Sequence, residues 1–210
     1  MSKRKLRRGR IYTAPVVFLL GLAVTRAFAC DDVDHPAQQM VRATTQSVFG
    51  ALDREPALKD DQRRLFELVR ELVLPHFDFN LMSKRVLGKH WRNANTNERR
   101  GFVDAFRTLL VRTYATALLS YRGQGVCFLP TRVRGKSGLL VVRTTVETTG
   151  TAPISVDYAM RPEGEAWKVY DVTIEGVSLV ITYRATFREE IRKQGLGGLI
   201  ERLRKKNLHG

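Results

Sequence analysis

Few side chains in this sequence are able to do acid–base, nucleophilic or metal chemistry. The histidines are His35, His76, His90 and His209, and no two of them share a metal-ligand spacing. The sequence has no Gly-x-Ser-x-Gly elbow and no glycine-rich phosphate loop ahead of a helix. His76 and Asp78 flank a helix break, where they make either an acid–base pair or a helix cap. Glu175, at a strand-to-helix corner, is the other candidate acid, and its competing role is a first-turn carboxylate that meets helix N–H groups. His35 and His209 lie near the ends of the chain and read as solvated, while His90, beside Trp91, reads as a partly buried polar tip. The expectation is a protein without catalytic residues, metal site or cofactor.

The two thiols raise a different question. Residues 1–29 read as a secretory leader. Met1–Arg10 is basic, Ile11–Val24 is apolar but short for a bilayer span, and Ala27-Phe28-Ala29 is a small-residue cleavage site. The competing reading is an uncleaved anchor. Cleavage after Ala29 leaves Cys30 first, so lipid attachment there is an alternative, although Ala27 stands where such signals carry Leu. Cys127 falls in an expected strand. Two cysteines, one at a loose terminus, do not make a disulfide framework, so the fold is expected to rest on its core.

Charge narrows the partners. Seven of the 36 Lys and Arg and none of the 21 acids lie in the leader, so 29 basic residues face 21 acidic ones after it, a net +8. Much of that excess sits in the tail Arg202, Arg204, Lys205, Lys206. A basic protein outside the cytoplasm points to anionic headgroups or acidic partner surfaces, not to nucleic acid.

The elements that must position any site follow from periodicity. Residues 30–210 are one domain's worth. Apolar spacing predicts helices from Pro36, over Lys59–Leu74 and after Asp78. It also predicts a long helix from an N-cap at Thr96 to about Tyr121, roughly 35–40 Å in length. Phe102, Phe106, Leu109, Leu110, Tyr114, Leu118 and Tyr121 lie on one face of it. From Val126 the period becomes two. Strands are expected over Val126–Arg134, Leu139–Thr148, Pro153–Arg161 and Trp167–Ile174, joined by turn-rich segments into an antiparallel meander. Gly176 then breaks the run, Ser178 is placed to cap, and two helices, Ser178–Gln194 and Leu196–Asn207, divide at Gly195. This is an α+β plan, a four-stranded sheet backed by helices.

Several segments, in order, resemble one family. They are Leu74-Pro75-His76-Phe77-Asp78-Phe79, Val86-Leu87-Gly88-Lys89-His90-Trp91 and the long-helix run from Phe102 to Tyr114. With them go Trp167-Lys168-Val169-Tyr170-Asp171, Glu175-Gly176-Val177-Ser178-Leu179-Val180 with Tyr183-Arg184, and Gly195-Leu196-Gly197-Gly198-Leu199-Ile200. Together they look like the MlaC-type periplasmic phospholipid-binding, or toluene-tolerance, proteins. Thr182 departs from the Asn usual there, and the match before Leu74 is one of pattern alone.

The resemblance implies an NTF2-like fold with a curved antiparallel sheet, and an apolar cavity that holds the acyl tails while the headgroup stays at the mouth. It implies a periplasmic carrier between an outer-membrane lipoprotein–porin complex and an inner-membrane ABC transporter with its substrate-binding domain protein, maintaining outer-membrane lipid asymmetry. Hopanoid or other apolar-lipid carriage is the family alternative, and a small periplasmic enzyme or adaptor of the same fold is the rival. One long chain in water costs on the order of 10 kcal/mol, so a carrier needs a closed apolar lining and no catalytic group. Stripe and strand parity assign Leu110, Tyr114, Leu118, Val156, Tyr158, Trp167, Val169, Val172, Ile174, Leu179, Val180 and Tyr183 to that lining. Arg112 and Arg184 are the candidates for headgroup or partner contact.

Overall fold

The computed structural model describes residues 30, 35–134, 138–148, 150 and 152–209, so the leader and its cleavage site lie outside the described residues. Helix α1 (Pro36–Arg54) starts with Pro at its first turn and His35 as its cap. The His35 ring nitrogen accepts the Ala37 N–H at 3.1 Å, and the ring meets Trp167 edge-on at 5.0 Å. His35 is therefore structural, not solvated.

A 3-10 turn (Pro56–Lys59) leads to α2 (Gln62–Leu72), which Asp61 caps through the N–H groups of Arg63 and Arg64. A second 3-10 turn (Leu74–His76) follows, then α3 (Phe79–Leu87) and the short α4 (Lys89–Asn93).

Helix α5 (Thr96–Tyr114) differs from expectation at both ends. Asn95, not Thr96, is the cap, because Asn95 and Glu98 satisfy each other's backbone N–H groups at 3.0 and 2.9 Å. Regular helix stops at Tyr114, after about 28 Å, and Ala115–Ser120 tightens into a 3-10 turn. There the Thr116 hydroxyl donates to the Thr113 carbonyl, a local bond that competes with helical pairing.

The sheet is antiparallel in the order β1 (Val126–Arg134), β2 (Leu139–Val146), β3 (Ile154–Glu163), β4 (Ala166–Ile174) and β5 (Val177–Ser178). It has five strands, not the four expected. Glu175 and Gly176 both take left-handed backbone (φ 48° and 78°), the two-residue turn that reverses a strand. Val177 thus returns to pair with Ile174 before the helix begins.

Pairing between β3 and β4 shifts once. Ala159 faces Asp171, then Met160 faces Val169, leaving Tyr170 as the extra residue of a bulge. Val169 and Val172 therefore share one face despite opposite parity, together with Met160, Tyr158 and Val156.

Helix α6 (Leu179–His209) is two helices joined at Gly195, whose φ of 72° and ψ of 172° no helix contains. The division expected there is observed. At the start of α6 the Ile181 N–H donates to the Ser178 hydroxyl at 3.1 Å. That hydroxyl donates to Asp171 at 2.6 Å, and the Val180 N–H reaches the same carboxylate at 3.1 Å. Asp171, not Glu175, is the carboxylate at the helix N-terminus. Glu175 accepts the backbone N–H of Ser155 across the sheet instead.

Most apolar side chains join one core, built from the inner face of the sheet with α1, α3, α5 and α6. A smaller core holds Val48, Leu52, Leu58, Leu65 and Tyr121 where α1, α2 and the turn after α5 meet.

The cysteine reading is overturned. Cys30 and Cys127 form a disulfide across 97 residues of sequence. The reason is the docking of α1 on β1, where Gln38 donates to the Leu129 carbonyl at 3.3 Å and Arg42 sits over the Phe128 ring. That contact holds the N-terminal end of α1 on the strand that carries Cys127. A sulfur held in this bond is not free to carry a lipid. No helix among the described residues is long and apolar enough to cross a membrane.

Candidate functional site

The polar candidates resolve into structural roles. Asp78 accepts the Leu81 N–H at 2.8 Å as the cap of α3 and takes two further contacts from the Arg161 guanidinium, at 2.7 and 2.6 Å. Its lone pairs are committed, which leaves His76 without the carboxylate it needs as an acid–base pair. His76 is half-buried, and burial followed by the Lys168 charge pushes its imidazole below its usual value. Lys168 itself donates to the Pro75 carbonyl at 2.6 Å and so ties β4 to the same turn. His90 is half-buried beside Trp91, and the His209 side chain lies outside the described residues. Among the described residues no three His, Cys, Asp or Glu side chains gather as metal ligands.

What remains is an apolar face. Across β2, β3 and β4 the residues Val142, Thr144, Val156, Tyr158, Val172 and Ile174 point the same way, as their direct pairing requires. Of the proposed lining, Leu110, Val169, Val172, Leu179 and Val180 are buried members of the main core. Tyr114, Val156, Tyr158, Trp167, Ile174 and Tyr183 pack against that core but stay only half-buried. Leu118 is not with them. It packs in the smaller core near Tyr121, because the 3-10 turn after Tyr114 rotates it off the α5 stripe.

The tyrosines give this face its electrostatics. Burial first, and then the neighbouring Tyr183 with its hydrogen bond, pushes the Tyr114 hydroxyl up to about 12. Burial also pushes Tyr158 up, partly offset by a hydrogen bond with Thr144. Thr144 in turn donates to the Val156 carbonyl at 2.8 Å. These phenols are neutral across the physiological range, so the face is apolar with a few fixed dipoles.

The two candidate arginines are separate. Arg112 lies over the Phe66 ring of α2 at 5.9 Å. Arg184 covers Gly88, where an added Cβ would stand 3.1 Å from its guanidinium. Gly88 is also left-handed (φ 55°), so its place in the Val86-Leu87-Gly88 segment is required twice over.

Two clefts open elsewhere. One of about 320 Å³ is lined by residues including Leu58, Arg64, Leu68 and Glu71. The other, about 230 Å³, is lined by Met40, Ala43, Leu72, Pro75 and His76 among others. None of the proposed lining residues borders either one.

Sequence reasoning gave no role to Asp171, which fastens the head of α6, although it stands in the quoted segment Trp167–Asp171. Its signal is a carboxylate eight residues before the first helical residue after a reversing turn, which is legible only once β5 is known. Phe102 and Phe106, read only as part of the α5 stripe, join Tyr183 and Phe187 of α6 in an aromatic wedge with ring centroids 5.3–6.0 Å apart.

A family model described as MlaC protein matches residues 42–205. The chain belongs to the MlaC family. Among the solved structures similar to it is a protein from Ralstonia solanacearum described as a phospholipid-binding protein in complex with a phospholipid. The two superpose with a TM-score of 0.77 at 33% identity, over 83% of this chain and 98% of that one. Over 195 residues the chain is 26% identical to the Haemophilus influenzae intermembrane phospholipid transport system binding protein MlaC, covering 91% of this chain and 90% of that protein. It is 24% identical over 159 residues to the toluene tolerance protein ttg2D of Pseudomonas putida, 74% and 73% of the respective lengths.

Proposed function

We propose that this MlaC family member is a phospholipid carrier whose acyl-chain site lies between the inner face of β2–β4 and helices α5 and α6. The observation that carries the reading is the set of half-buried apolar side chains packed against the main core, Val156, Tyr158, Trp167 and Ile174 from the sheet with Tyr114 from α5 and Tyr183 from α6. The core stops short of covering them. A hydrocarbon tail laid along this face would finish their burial, at about 25 cal/mol per Å² of apolar surface removed from water. The phospholipid named with the Ralstonia relative supports the choice of ligand.

The relatives named as an intermembrane phospholipid transport system binding protein and a toluene tolerance protein support a transport step as well. The protein acts in the periplasm after removal of residues 1–29. There it takes lipid from one membrane-bound complex and delivers it to another, an outer-membrane lipoprotein–porin complex and the substrate-binding domain protein of an inner-membrane ABC transporter. The outcome is maintenance of outer-membrane lipid asymmetry. No covalent step is involved.

The test is organic extraction and mass spectrometry of natively purified protein. Stoichiometric phospholipid is the expected result. Protein that purifies without lipid, and takes up none from mixed micelles, refutes the reading.

A further inference from the structure

The start of α6 carries a surface that the cargo site does not use. Val177 and Ile181 are 56% and 69% exposed, among the few large apolar side chains left open to solvent. Ile154, at the same end of the sheet, is 39% exposed and adjoins Ser155, the residue that meets Glu175. With about 100° between successive helical residues, Ile181, Arg184, Ala185 and Arg188 share one outward face of α6, and all are exposed. Arg184 reaches across to Gly88, between the exposed Lys84 and Lys89.

Arg184, Arg188, Lys84 and Lys89 take no part in the ion pairs among the described residues. The nearby acids are engaged. Glu189 is held by Arg192 at 2.9 Å, and Glu175 by the Ser155 N–H.

We propose that this surface, aliphatic tips at Val177 and Ile181 followed by cations at Arg184, Arg188, Lys84 and Lys89, docks the protein on an anionic bilayer. Charge complementarity selects the partner. Aliphatic side chains dip below the headgroups while guanidinium and ammonium groups meet lipid phosphates. A protein partner would call for a packed apolar centre within roughly 800 Å² per side. Here separate aliphatic tips stand beside cations, without a groove to gather them. The proposal does not rest on the cargo reading, since every residue in it is exposed and outside the proposed lining.

The experiment is vesicle co-sedimentation of the mature protein, lipid-loaded and delipidated, on phosphatidylglycerol-containing and on pure phosphatidylcholine vesicles. Each cation near a surface is worth about fivefold in binding, so the Arg184→Gln/Arg188→Gln variant loses roughly twenty-five-fold on the anionic vesicles. The Val177→Ser/Ile181→Ser variant loses about tenfold. An Arg63→Gln/Arg70→Gln control on α2, with the same charge removed elsewhere, stays within about twofold of the parent. All positions are exposed, and circular dichroism verifies folding. Equal binding to both vesicle types overturns the proposal, as does an Arg184/Arg188 variant no weaker than the control. Displacement by soluble polyglutamate, with the serine variant binding like the parent, assigns the cations to an acidic protein and overturns it as well.

Discussion

The Cys30–Cys127 bond makes the sharpest energetic prediction. It closes a loop spanning 97 residues of sequence. In the chain-entropy account, a loop of that size removes about 4–5 kcal/mol of freedom from the unfolded chain at room temperature. Nothing about the folded state needs to change for that term to be lost. Replacing both cysteines with serine in delipidated protein that lacks residues 1–29 should therefore lower unfolding stability by about 4 kcal/mol, less any part already supplied by residual structure in the unfolded chain. For a protein of this size that is roughly a 10 °C fall in midpoint or more. Urea titration followed by circular dichroism measures it, and reductant should move the parent to the variant's curve while leaving the variant where it is. The urea slope should rise, because an uncrosslinked unfolded chain exposes more surface. Delipidation matters, since bound cargo stabilises both proteins by mass action. A loss below about 1 kcal/mol, or two thiols titrating in the unreduced parent, would refute the reasoning.

Three further outcomes follow from the site and its supports. Val156→Arg, which places a charge on the half-buried face, should cut co-purifying phospholipid at least tenfold with the fold retained. Equal loading removes Val156 from the lining. Asp171→Ala strips the Ser178 hydroxyl and the Val180 N–H of their acceptor and should cost about 2–3 kcal/mol in urea unfolding, with Asp171→Asn intermediate. A loss within the noise of the parent would deny the carboxylate its place at the head of α6. The raised Tyr114 hydroxyl makes stability fall with alkali. The folded protein keeps the proton to about pH 12, whereas the unfolded tyrosine gives it up near its ordinary value of 10, so the contribution is full below pH 10 and lost between 10 and 12. Tyr114→Phe should flatten that part of the stability–pH curve, and an unchanged slope contradicts the burial of the phenol.

Much of the architecture was legible because periodicity is local. The α5 stripe, the four long strands and the break at Gly195 each show in a single unbroken run of neighbouring residues. What was hidden depends on pairing at a distance. Nothing near Cys30 announces Cys127, because the geometry that joins them is the docking of α1 on β1. Glu175-Gly176 carried a turn signal, yet a two-residue strand such as β5 has no period to detect. The bulge at Tyr170 is likewise invisible in β4 alone and exists only in register with β3. It explains why residues of both parities belong on one face. Leu118 was misplaced because a helix and a 3-10 turn send the same sequence spacing to different sides. Asp78 and Glu175 were ambiguous for another reason, since a carboxylate that accepts backbone N–H groups and a carboxylate catalyst look alike until their partners are seen.

A carrier faces a conflict that an ordinary domain does not, because the centre that should hold it together is wanted by the cargo. Each methylene withdrawn from the interior forgoes about 0.8 kcal/mol, so the fold must be secured where lipid never goes. The securing contacts here are peripheral. The disulfide ties Cys30 to the edge strand, and Arg161 with Lys168 ties the β3–β4 hairpin to the turn and cap before α3. Asp171 and Ser178 fasten α6 to β4, and the smaller core around Leu52 and Leu65 holds α1 and α2 without reference to the sheet. On this view, substitutions at the periphery should change stability with little effect on loading at temperatures where the variants stay folded. Substitutions such as Val156→Arg should do the reverse, and the separation of the two effects is what distinguishes a lipid-binding face from an ordinary core.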